Sequence, residues 1–403
     1  MTDVLIVGAG PAGLSAAATC ARHGLSVRVV DEFMKPGGRL LGQLHEEPDG
    51  TWWNGIEEAR RLYEQAVGLG ASVACGVSVY DAARGEEGWV VSTTEGILEA
   101  PVLLLATGAA ETALPLPGWT IPGVMSIGAA QVMTNVHRVR VGERGVIIGV
   151  NILAVAIARE LQLAGIHVDR MVLPPRNPVT QEAASPYHVM QSLLRVAHLA
   201  PSAFIRYGSR LVKSDPLLRL AVRCYPAGGV KMWRMPIHLR TAAVEILGTS
   251  KVEGVRLARV SPDGEPLPGT EHDIPADFVC IAGGLHPLAE LAAVAGCPFA
   301  YLPELGGHVP LHNERMETPL AGLYVAGNIT GIESAKVAMA QGAVAGLAIA
   351  EHLGRLRDRT ALADAIAHVK RVRRSATIQF HPEIGRGRAD VERMFQEQGI
   401  SGK

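Results

Sequence analysis

The fold of this 403-residue chain follows from the stretch Asp3-Val4-Leu5-Ile6-Val7-Gly8-Ala9-Gly10-Pro11-Ala12-Gly13. Its first five residues are typical of a buried strand, and an alanine-rich helix begins after the glycines. Gly8 permits a tight turn, Gly10 lets the backbone approach a pyrophosphate, and Gly13 lets helix and sheet pack closely. A strand, a GxGxxG turn and a helix in this order predict a dinucleotide-binding fold with the phosphates at the helix N-terminus.

An acidic pair completes this first unit. Residues 26–30 are predicted to form the second strand, which is followed by Asp31 and Glu32. A carboxylate about 20 residues after the glycines accepts hydrogen bonds from the ribose hydroxyls of a dinucleotide. We expect Asp31 or Glu32 to do so here.

The strand–turn–helix order recurs later in the chain. Residues 145–149 are predicted to form an apolar strand and residues 154–163 the helix after it, while residues 323–327 read as one more buried strand. We expect that late strand to return to the first sheet. The predicted fold class is therefore α/β, with two Rossmann-like domains, the second inserted into the first, and β-hairpin or meander crossovers. The expected ranges are 1–112 with 315–355 for the first domain, 113–314 for the second, and 356–403 for a C-terminal helical tail.

Composition excludes several classes of protein. Thirty-eight basic and 39 acidic residues give a net charge of −1, so bulk charge draws the chain neither to nucleic acid nor to an anionic membrane. No uninterrupted apolar run is long enough for a membrane span. Five dispersed cysteines contain no CxxC pair, which argues against a disulfide framework, a metal site and a dithiol redox centre. We expect a cytoplasmic protein that uses neither metal nor disulfides.

Three further motifs accompany the first glycine-rich turn. They are Pro36-Gly37-Gly38-Arg39, Ala106-Thr107-Gly108 and Thr318-Pro319-Leu320-Ala321-Gly322-Leu323-Tyr324-Val325-Ala326-Gly327-Asn328. With that turn they resemble the FAD-dependent pyridine nucleotide-disulphide oxidoreductase-like flavoproteins, which have two dinucleotide-binding domains and include glutathione and thioredoxin reductases. The resemblance covers most of the chain and implies FAD as the cofactor.

The resemblance also implies the contacts that FAD makes. The Pro-Gly-Gly loop runs beside the pyrophosphate, the backbone of Val77 contacts the adenine, and the helix that begins near residues 333–336 points its N-terminus at the flavin. Asn328 stands where the family usually has an aspartate for a ribityl hydroxyl. The predicted FAD-binding residues are Gly8, Gly10, Pro11, Ala12, Gly13, Asp31, Glu32, Gly38, Arg39, Val77, Ala106, Thr107, Gly108, Gly327, Asn328 and Ile329.

The second glycine-rich turn is altered. In Gly149-Val150-Asn151, an asparagine occupies the position whose missing side chain lets a pyrophosphate approach. The following strand ends in Pro174-Pro175-Arg176 without a carboxylate for a ribose. Three interpretations stay open: an NAD(P) site, a site for ATP or ADP, and a turn that holds no nucleotide.

The missing CxxC excludes disulfide reductase chemistry, so electrons must leave by another path. Three motifs resemble the alpha, FAD-carrying subunits of proline and hydroxyproline dehydrogenases, opine oxidases and hydrogen cyanide synthase. They are Val30-Asp31-Glu32 followed by Pro36-Gly37-Gly38, Lys231-Met232-Trp233-Arg234-Met235-Pro236-Ile237, and Gly327-Asn328-Ile329-Thr330-Gly331-Ile332-Glu333. That resemblance implies a dehydrogenase acting on CH–NH donors, whose partners are a second flavoprotein (beta) subunit together with a small ferredoxin-like iron–sulfur subunit. The alternatives are a stand-alone NAD(P)H-dependent flavin reductase of a ferredoxin-type carrier and a non-catalytic, nucleotide-stabilised scaffold.

No catalytic residue is fixed by the sequence. Lys336, near the predicted flavin-facing helix, and His45, in a loop, are candidates for charge stabilisation or proton transfer. The segment from Arg355 to Arg374 carries seven basic and two acidic residues. It is either a solvated helix face or a docking patch for an acidic electron-transfer partner.

Overall fold

The computed structural model describes residues 2–47, 49–197, 203–209, 212, 214–358, 360–377 and 379–401. Its elements up to residue 148 are β1 (Val4–Val7), α1 (Pro11–Arg22), β2 (Val27–Asp31), β3 (Leu44–Glu46), β4 (Trp52–Asn54), α2 (Gly55–Gly68), β5 (Ser72–Cys75), β6 (Val79–Arg84), β7 (Trp89–Thr93), β8 (Gly96–Ala100), β9 (Val102–Leu105), β10 (Ala109–Glu111), β11 (Val124–Ser126), α3 (Ile127–Asn135) and β12 (Arg144–Ile148).

The remaining elements are α4 (Ile152–Leu163), β13 (His167–Leu173), α5 (Pro186–Arg195), α6 (Ala203–Gly208), α7 (Asp215–Arg223), β14 (Val230–Met232), β15 (Met235–Gly248), β16 (Val252–Arg259), β17 (His272–Pro275), β18 (Phe278–Ile281), β19 (Leu285–Pro287), α8 (Glu290–Val294), β20 (Phe299–Leu302), β21 (Gly307–Pro310), β22 (Leu323–Val325), α9 (Ala335–His352), α10 (Thr360–Arg374) and α11 (Ile384–Ser401).

The first of two compact units comprises residues 1–43, 54–110 and 285–403. Its main sheet is parallel, with the strand order β22-β9-β1-β2-β5. All four residues of β1 and all four of β9 are buried, as expected for strands covered on both faces. The late strand β22 pairs with β9, so the chain returns to its first sheet as predicted. The expected hairpin is the antiparallel sheet β6-β7-β8.

The second unit comprises residues 44–53 and 111–284. Its largest sheet has the order β11-β18-β12-β13-β15-β16-β17, and β14 pairs with β15. The pairs from β11 to β15 are parallel, while β15, β16 and β17 pair antiparallel. The predicted α/β class with a second Rossmann-like part inserted into the first is confirmed.

The units differ from the expected ranges mainly in three places. Residues 285–314 belong to the first unit, because Ala289, Ala292 and Cys297 join the core formed by β9 and β22. Residues 44–53 belong to the second unit. The tail expected over 356–403 is part of the first unit, where Ile384 and Val391 of α11 share a core with β20 and β21.

Among the described residues, no helix is long and apolar enough to cross a membrane.

Candidate functional site

The β1–α1 turn is built so that only glycine fits at two of its positions. Gly8 has φ +108°, and a Cβ atom there would lie 2.3 Å from the carbonyl oxygen of Ala106. A Cβ atom at Gly13 would lie 1.9 Å from the carbonyl oxygen of Gly8. The turn therefore brings the start of α1 against the ends of β1 and β9, at the carboxyl edge of the sheet where ligands of such folds bind.

The N-terminus of α1 is open. Gly10 is its N-cap residue, and no side chain of the described residues caps the helix there. A Cβ atom at Gly10 would meet nothing within 4 Å. The first-turn N–H groups and the positive end of the helix dipole are thus available to an anion. This uncapped cradle fits the pyrophosphate of a dinucleotide.

The side chain of Asp31 is hydrogen-bonded to the backbone of the β1–α1 turn. Its carboxylate accepts hydrogen bonds from the N–H groups of Ala9, at 2.6 Å, and Phe33, at 2.8 Å. Burial raises the pKa of Asp31, although these two hydrogen bonds act to lower it. Both Asp31 oxygens accept from the backbone, whereas the adjacent Glu32 is exposed. A ribose contact by either carboxylate stays a prediction.

The Pro-Gly-Gly loop lies on the same turn. The N–H of Gly37 donates to the carbonyl oxygen of Ala9 at 2.8 Å. A Cβ atom at Gly38, which has φ +55°, would lie 3.1 Å from the Cα of Gly10. Arg39 is tied back by its Nε, which donates to the carbonyl oxygen of Ala109 at 3.1 Å. The loop thus forms a second wall beside the open end of α1.

The Ala106-Thr107-Gly108 segment continues β9 past this turn. The N–H of Ala106 donates to the carbonyl oxygen of Val7 at 2.8 Å. The backbone of Leu288 holds the next two residues, accepting from the Thr107 hydroxyl and donating to the carbonyl oxygen of Gly108. Val77 is buried, and its N–H donates to the carbonyl oxygen of Asp31, so an adenine contact there would use the Val77 carbonyl.

The late glycine motif lies beside the first. A Cβ atom at Gly327, which has φ +81°, would lie 2.8 Å from the Cβ of Ala12. The N–H of Gly327 donates to Oε1 of the buried Gln341 at 3.0 Å. Asn328 places its Oδ1 3.2 Å from the N–H of Glu333, from which it accepts a hydrogen bond, and Ile329 is fully buried. Sequence motifs identified the glycine and the asparagine but gave no signal for Gln341.

Helices α1 and α9 are in close contact through small residues. A Cβ atom at Gly342 would lie 2.1 Å from the carbonyl oxygen of Ala12, and one at Gly346 would lie 2.7 Å from the Cβ of Thr19. This packing fixes α9, and with it the loop around Gly327, next to the start of α1. The predicted FAD-binding residues are all in the first unit: Gly8, Gly10, Pro11, Ala12, Gly13, Asp31, Glu32, Gly38, Arg39, Val77, Ala106, Thr107, Gly108, Gly327, Asn328 and Ile329.

The two catalytic candidates lie in different units. Lys336 is the second residue of α9, is exposed, and lies close enough to Glu58 of α2 to help lower the pKa of that carboxyl, after the larger effect of its Arg61 hydrogen bond. His45 belongs to the second unit, where its ring stacks on Trp53 at a centroid distance of 6.2 Å. Neither placement tests a part in the chemistry, so the catalytic roles of both side chains stay predictions.

The second glycine-rich turn has nearly the same backbone conformation as the first, but a side chain caps the helix that follows it. Gly149 has φ +107°, and a Cβ atom there would lie 2.2 Å from the carbonyl oxygen of Ala282. Asn151 is the N-cap residue of α4, and its Oδ1 accepts from the N–H of Ala154 at 2.9 Å. Its Nδ2 donates to the carbonyl oxygen of Ala282 at 3.0 Å. The side chain thus satisfies one of the first-turn N–H groups and occupies the helix end that a pyrophosphate would otherwise bind.

A buried carboxylate that sequence reasoning missed lies further along α4. Glu160 accepts hydrogen bonds from Nε2 of Gln131, from Nδ2 of Asn135 and from the N–H of Leu44. Burial raises its pKa to about 7, although the three hydrogen bonds oppose the shift. Through these hydrogen bonds, Glu160 links α3, α4 and β3 of the second unit to one another.

Only some of the basic side chains in the segment from Arg355 to Arg374 are exposed and unneutralised. Arg373 is largely buried against Glu333, and Lys370 pairs with Glu314 at 2.7 Å. Arg371 and Arg374 are exposed, and Arg359 lies outside the described residues. The charge available to a docking partner is therefore smaller than the sequence count implies.

Comparisons with known proteins show which proteins this chain is similar to. Residues 2–186 match the pyridine nucleotide-disulphide oxidoreductase family. The chain is 30% identical to one subunit of the opine oxidase of Agrobacterium tumefaciens over 86% of its own length, and 27% identical to hydrogen cyanide synthase subunit HcnB of Pseudomonas aeruginosa over 97%. It spans 65% and 78% of the lengths of those two proteins.

A solved structure shares the fold. The L-proline dehydrogenase of P. horikoshii superposes with a TM-score of 0.62 at 19% identity, over 91% of this chain and 58% of that one. The resemblance to flavoproteins with two dinucleotide-binding domains, and to subunits of opine oxidase and hydrogen cyanide synthase among them, is confirmed. The family is FAD-binding, as expected.

Proposed function

We propose that this chain, an FAD-dependent oxidoreductase of the pyridine nucleotide-disulphide oxidoreductase family, is the electron-relay subunit of an amine or amino-acid dehydrogenase that acts on CH–NH donors. Its partners would be a second flavoprotein subunit together with a small ferredoxin-like iron–sulfur subunit. The relatives named above are themselves subunits, which supports an assembly of several chains. We also propose a cytoplasmic location, with which its five free cysteines are compatible.

The observation that carries the proposal is the difference between two helix ends. The N-terminus of α1 is open for a pyrophosphate, while Asn151 caps that of α4. A reductase driven by NAD(P)H needs both sites, whereas a relay subunit needs only the first. We therefore favour the relay over the stand-alone flavin reductase.

The residues of this chain would bind and orient the cofactor. The start of α1 would hold the pyrophosphate, Glu32 the adenosine ribose, and Asn328 with Ile329 the flavin end. When bound, FAD supplies two-electron oxidation–reduction chemistry that the amino acids lack.

The electron balance of the proposed complex is simple. The partner flavoprotein would convert the CH–NH group to an imine, a change that releases two electrons and two protons. The iron–sulfur subunit would carry these electrons singly to this chain, where bound FAD would accept both of them together with two protons.

Anaerobic stopped-flow spectroscopy on the FAD-loaded full chain tests the proposal. We expect a chemically reduced [2Fe–2S] ferredoxin to bleach the visible absorbance of the oxidised flavin, and NADH or L-proline alone to leave it unchanged. Rapid bleaching by NADH would overturn the relay in favour of the flavin reductase. Turnover of proline-like amines with only a small dye as acceptor would place amine oxidation in this chain instead. A flavin that no donor reduces would favour the scaffold.

A further inference from the structure

A buried cluster of charged side chains lies directly before α9. Glu333 is two residues ahead of the helix, and Ser334 between them is its N-cap residue. The Glu333 carboxylate accepts a bidentate pair of hydrogen bonds from Arg373 of α10, Nε at 2.5 Å and Nη2 at 3.0 Å. Arg388 of α11 donates its Nη2 to the same carboxylate at 2.6 Å. Two helices near the C-terminus thus meet on one carboxylate.

The charges in this cluster do not cancel. The side chains of Glu333, Arg373 and Arg388 are 7%, 17% and 12% exposed, so solvent screens them weakly. Burial alone would raise the pKa of Glu333, but the two arginines lower it, so the carboxylate is ionised. Two guanidinium groups and one carboxylate leave one net positive charge.

A neutral histidine, His312, contacts the cluster through Arg388. Burial and the neighbouring Arg388 lower the pKa of His312 to about 3. Its Nδ1 lies 2.7 Å from the carbonyl oxygen of Pro310, so the proton is on Nδ1 and Nε2 accepts from Arg388 at 3.1 Å. Arg388 Nε is buried without a hydrogen-bond partner among the described residues. The histidine therefore holds a guanidinium in place without adding to its charge.

The cluster is joined to the late glycine motif by the backbone. The N–H of Glu333 donates to Oδ1 of Asn328, and a Cβ atom at Gly331 would lie 3.1 Å from Nη2 of Arg388. The loop between Gly327 and α9 is thus fixed by the same residues that carry the charge. If FAD binds as proposed, its flavin end contacts this loop.

We propose that the cluster of Glu333, Arg373 and Arg388 raises the reduction potential of bound FAD by keeping one net positive charge behind the loop that holds the flavin end. A positive charge at this place stabilises the added negative charge of a reduced flavin, and burial makes the effect stronger than it would be at the surface. The three side chains are positioning and electrostatic residues and need not touch the cofactor. The inference rests on the proposed function, because it assumes FAD at the first site.

Two variants distinguish an electrostatic effect of the cluster on the midpoint potential from a purely structural one. Arg373→Met removes one positive charge, so the cluster becomes neutral and the midpoint potential of bound FAD is expected to fall below that of the wild type. Glu333→Gln combined with Arg373→Met leaves only Arg388 charged, which restores one net positive charge. The double variant is therefore expected to return to the wild-type potential although the bidentate ion pair is gone. A purely structural role predicts that the double variant is at least as disturbed as the single one.

The control is Lys370→Met, one turn before Arg373 on α10. Lys370 forms an exposed pair with Glu314, so the same loss of charge is screened by solvent and should leave the potential unchanged. The measurement is a dye-coupled redox titration of each full chain loaded with FAD. An unchanged potential in Arg373→Met, or a double variant that fails to recover, would overturn this inference alone. A wild-type chain that takes up no FAD would instead overturn the proposed function and this inference with it.

Discussion

The two glycine-rich turns of this chain have nearly the same backbone and opposite side-chain chemistry. Gly8 and Gly149 have φ values of +108° and +107°, and each lies against a carbonyl oxygen at the end of the neighbouring strand. Two positions later the first turn has Gly10 and the second has Asn151. The amide of Asn151 caps its helix and bridges to Ala282, so the protein itself supplies what a phosphate would supply at the first turn. One side chain thus separates a turn that can bind an anion from one that is already satisfied.

The most severe test makes the first turn resemble the second. Gly10 has extended φ and ψ angles of −75° and −174°, and a Cβ atom there has open space, so Gly10→Asn should fold. Its side chain would cap α1 and occupy the space of the pyrophosphate. We expect FAD affinity to fall by at least about 100-fold, roughly 3 kcal/mol. Flavin released from the purified protein and measured by absorbance checks this.

A matched control is Gly24→Asn at the other end of α1. Gly24 has φ +76° with open space around a Cβ atom, and asparagine tolerates this left-handed conformation. This variant should keep its FAD. A Gly10→Asn protein with full flavin content would show that the pyrophosphate does not lie at this helix end.

Helices α1 and α4, which follow the two turns, differ at the ninth residue of each helix. This difference leads to a prediction about the pH dependence of stability. Thr19 of α1 lies against Gly346, whereas Glu160 of α4 is a buried carboxylate. Its pKa of about 7 in the folded chain lies above the ordinary value of 4.5, so the folded state binds the extra proton between these values. The free energy of unfolding should therefore fall as pH rises from about 4.5 to 7 and be flat above, with a contribution of up to about 3 kcal/mol.

Urea unfolding of the wild type and Glu160→Gln across this pH range tests it. Other groups titrate in both proteins, so the difference between the two curves isolates Glu160. Curves that stay parallel from pH 4.5 to 7 would mean that the carboxyl is not proton-linked to folding.

The smallest expected effect comes from opening the second turn. Asn151→Gly removes the cap and the bridge to Ala282, which should cost about 1 kcal/mol of stability and expose the first-turn N–H groups of α4. We expect calorimetry to detect ADP or NADH binding that is weak or absent in the wild type. Asn151→Asp keeps an oxygen for the cap and adds a negative charge, so it should stay closed. Low-micromolar NADH binding by the wild type would contradict this account of the turn.

The features that depend on local backbone geometry, such as the glycine-rich turns, could be predicted from the sequence. The turn requires glycine for steric reasons at Gly8 and Gly13, so its structure could be read from the residues alone. The defect at Asn151 was visible as well, but its bond to Ala282 was not, because that partner lies 131 positions away.

Features that depend on distant partners were not predictable. Glu160 and Gln341 looked like ordinary helix residues, and only the fold shows what they hold. The cluster at Glu333 joins residues 40 and 55 positions apart in sequence. The second unit ends at residue 284 and not at the expected residue 314 for the same reason, since the apolar core that α8 shares with β9 and β22 is set by packing and has no local signal.

The pairing of β22 with β9 has a consequence for how this protein is made. Leu103 and Leu105 pair with β1 on one side, but on the other side they gain a partner strand only when Leu323 and Val325 have been synthesised. At roughly 5–20 residues per second, a ribosome needs on the order of 10–40 seconds to synthesise the intervening chain. During that time a continuous apolar strand has an unpaired edge, the kind of surface that promotes aggregation. We therefore expect the nascent chain to be most prone to aggregation before the last strand of the first sheet has left the ribosome.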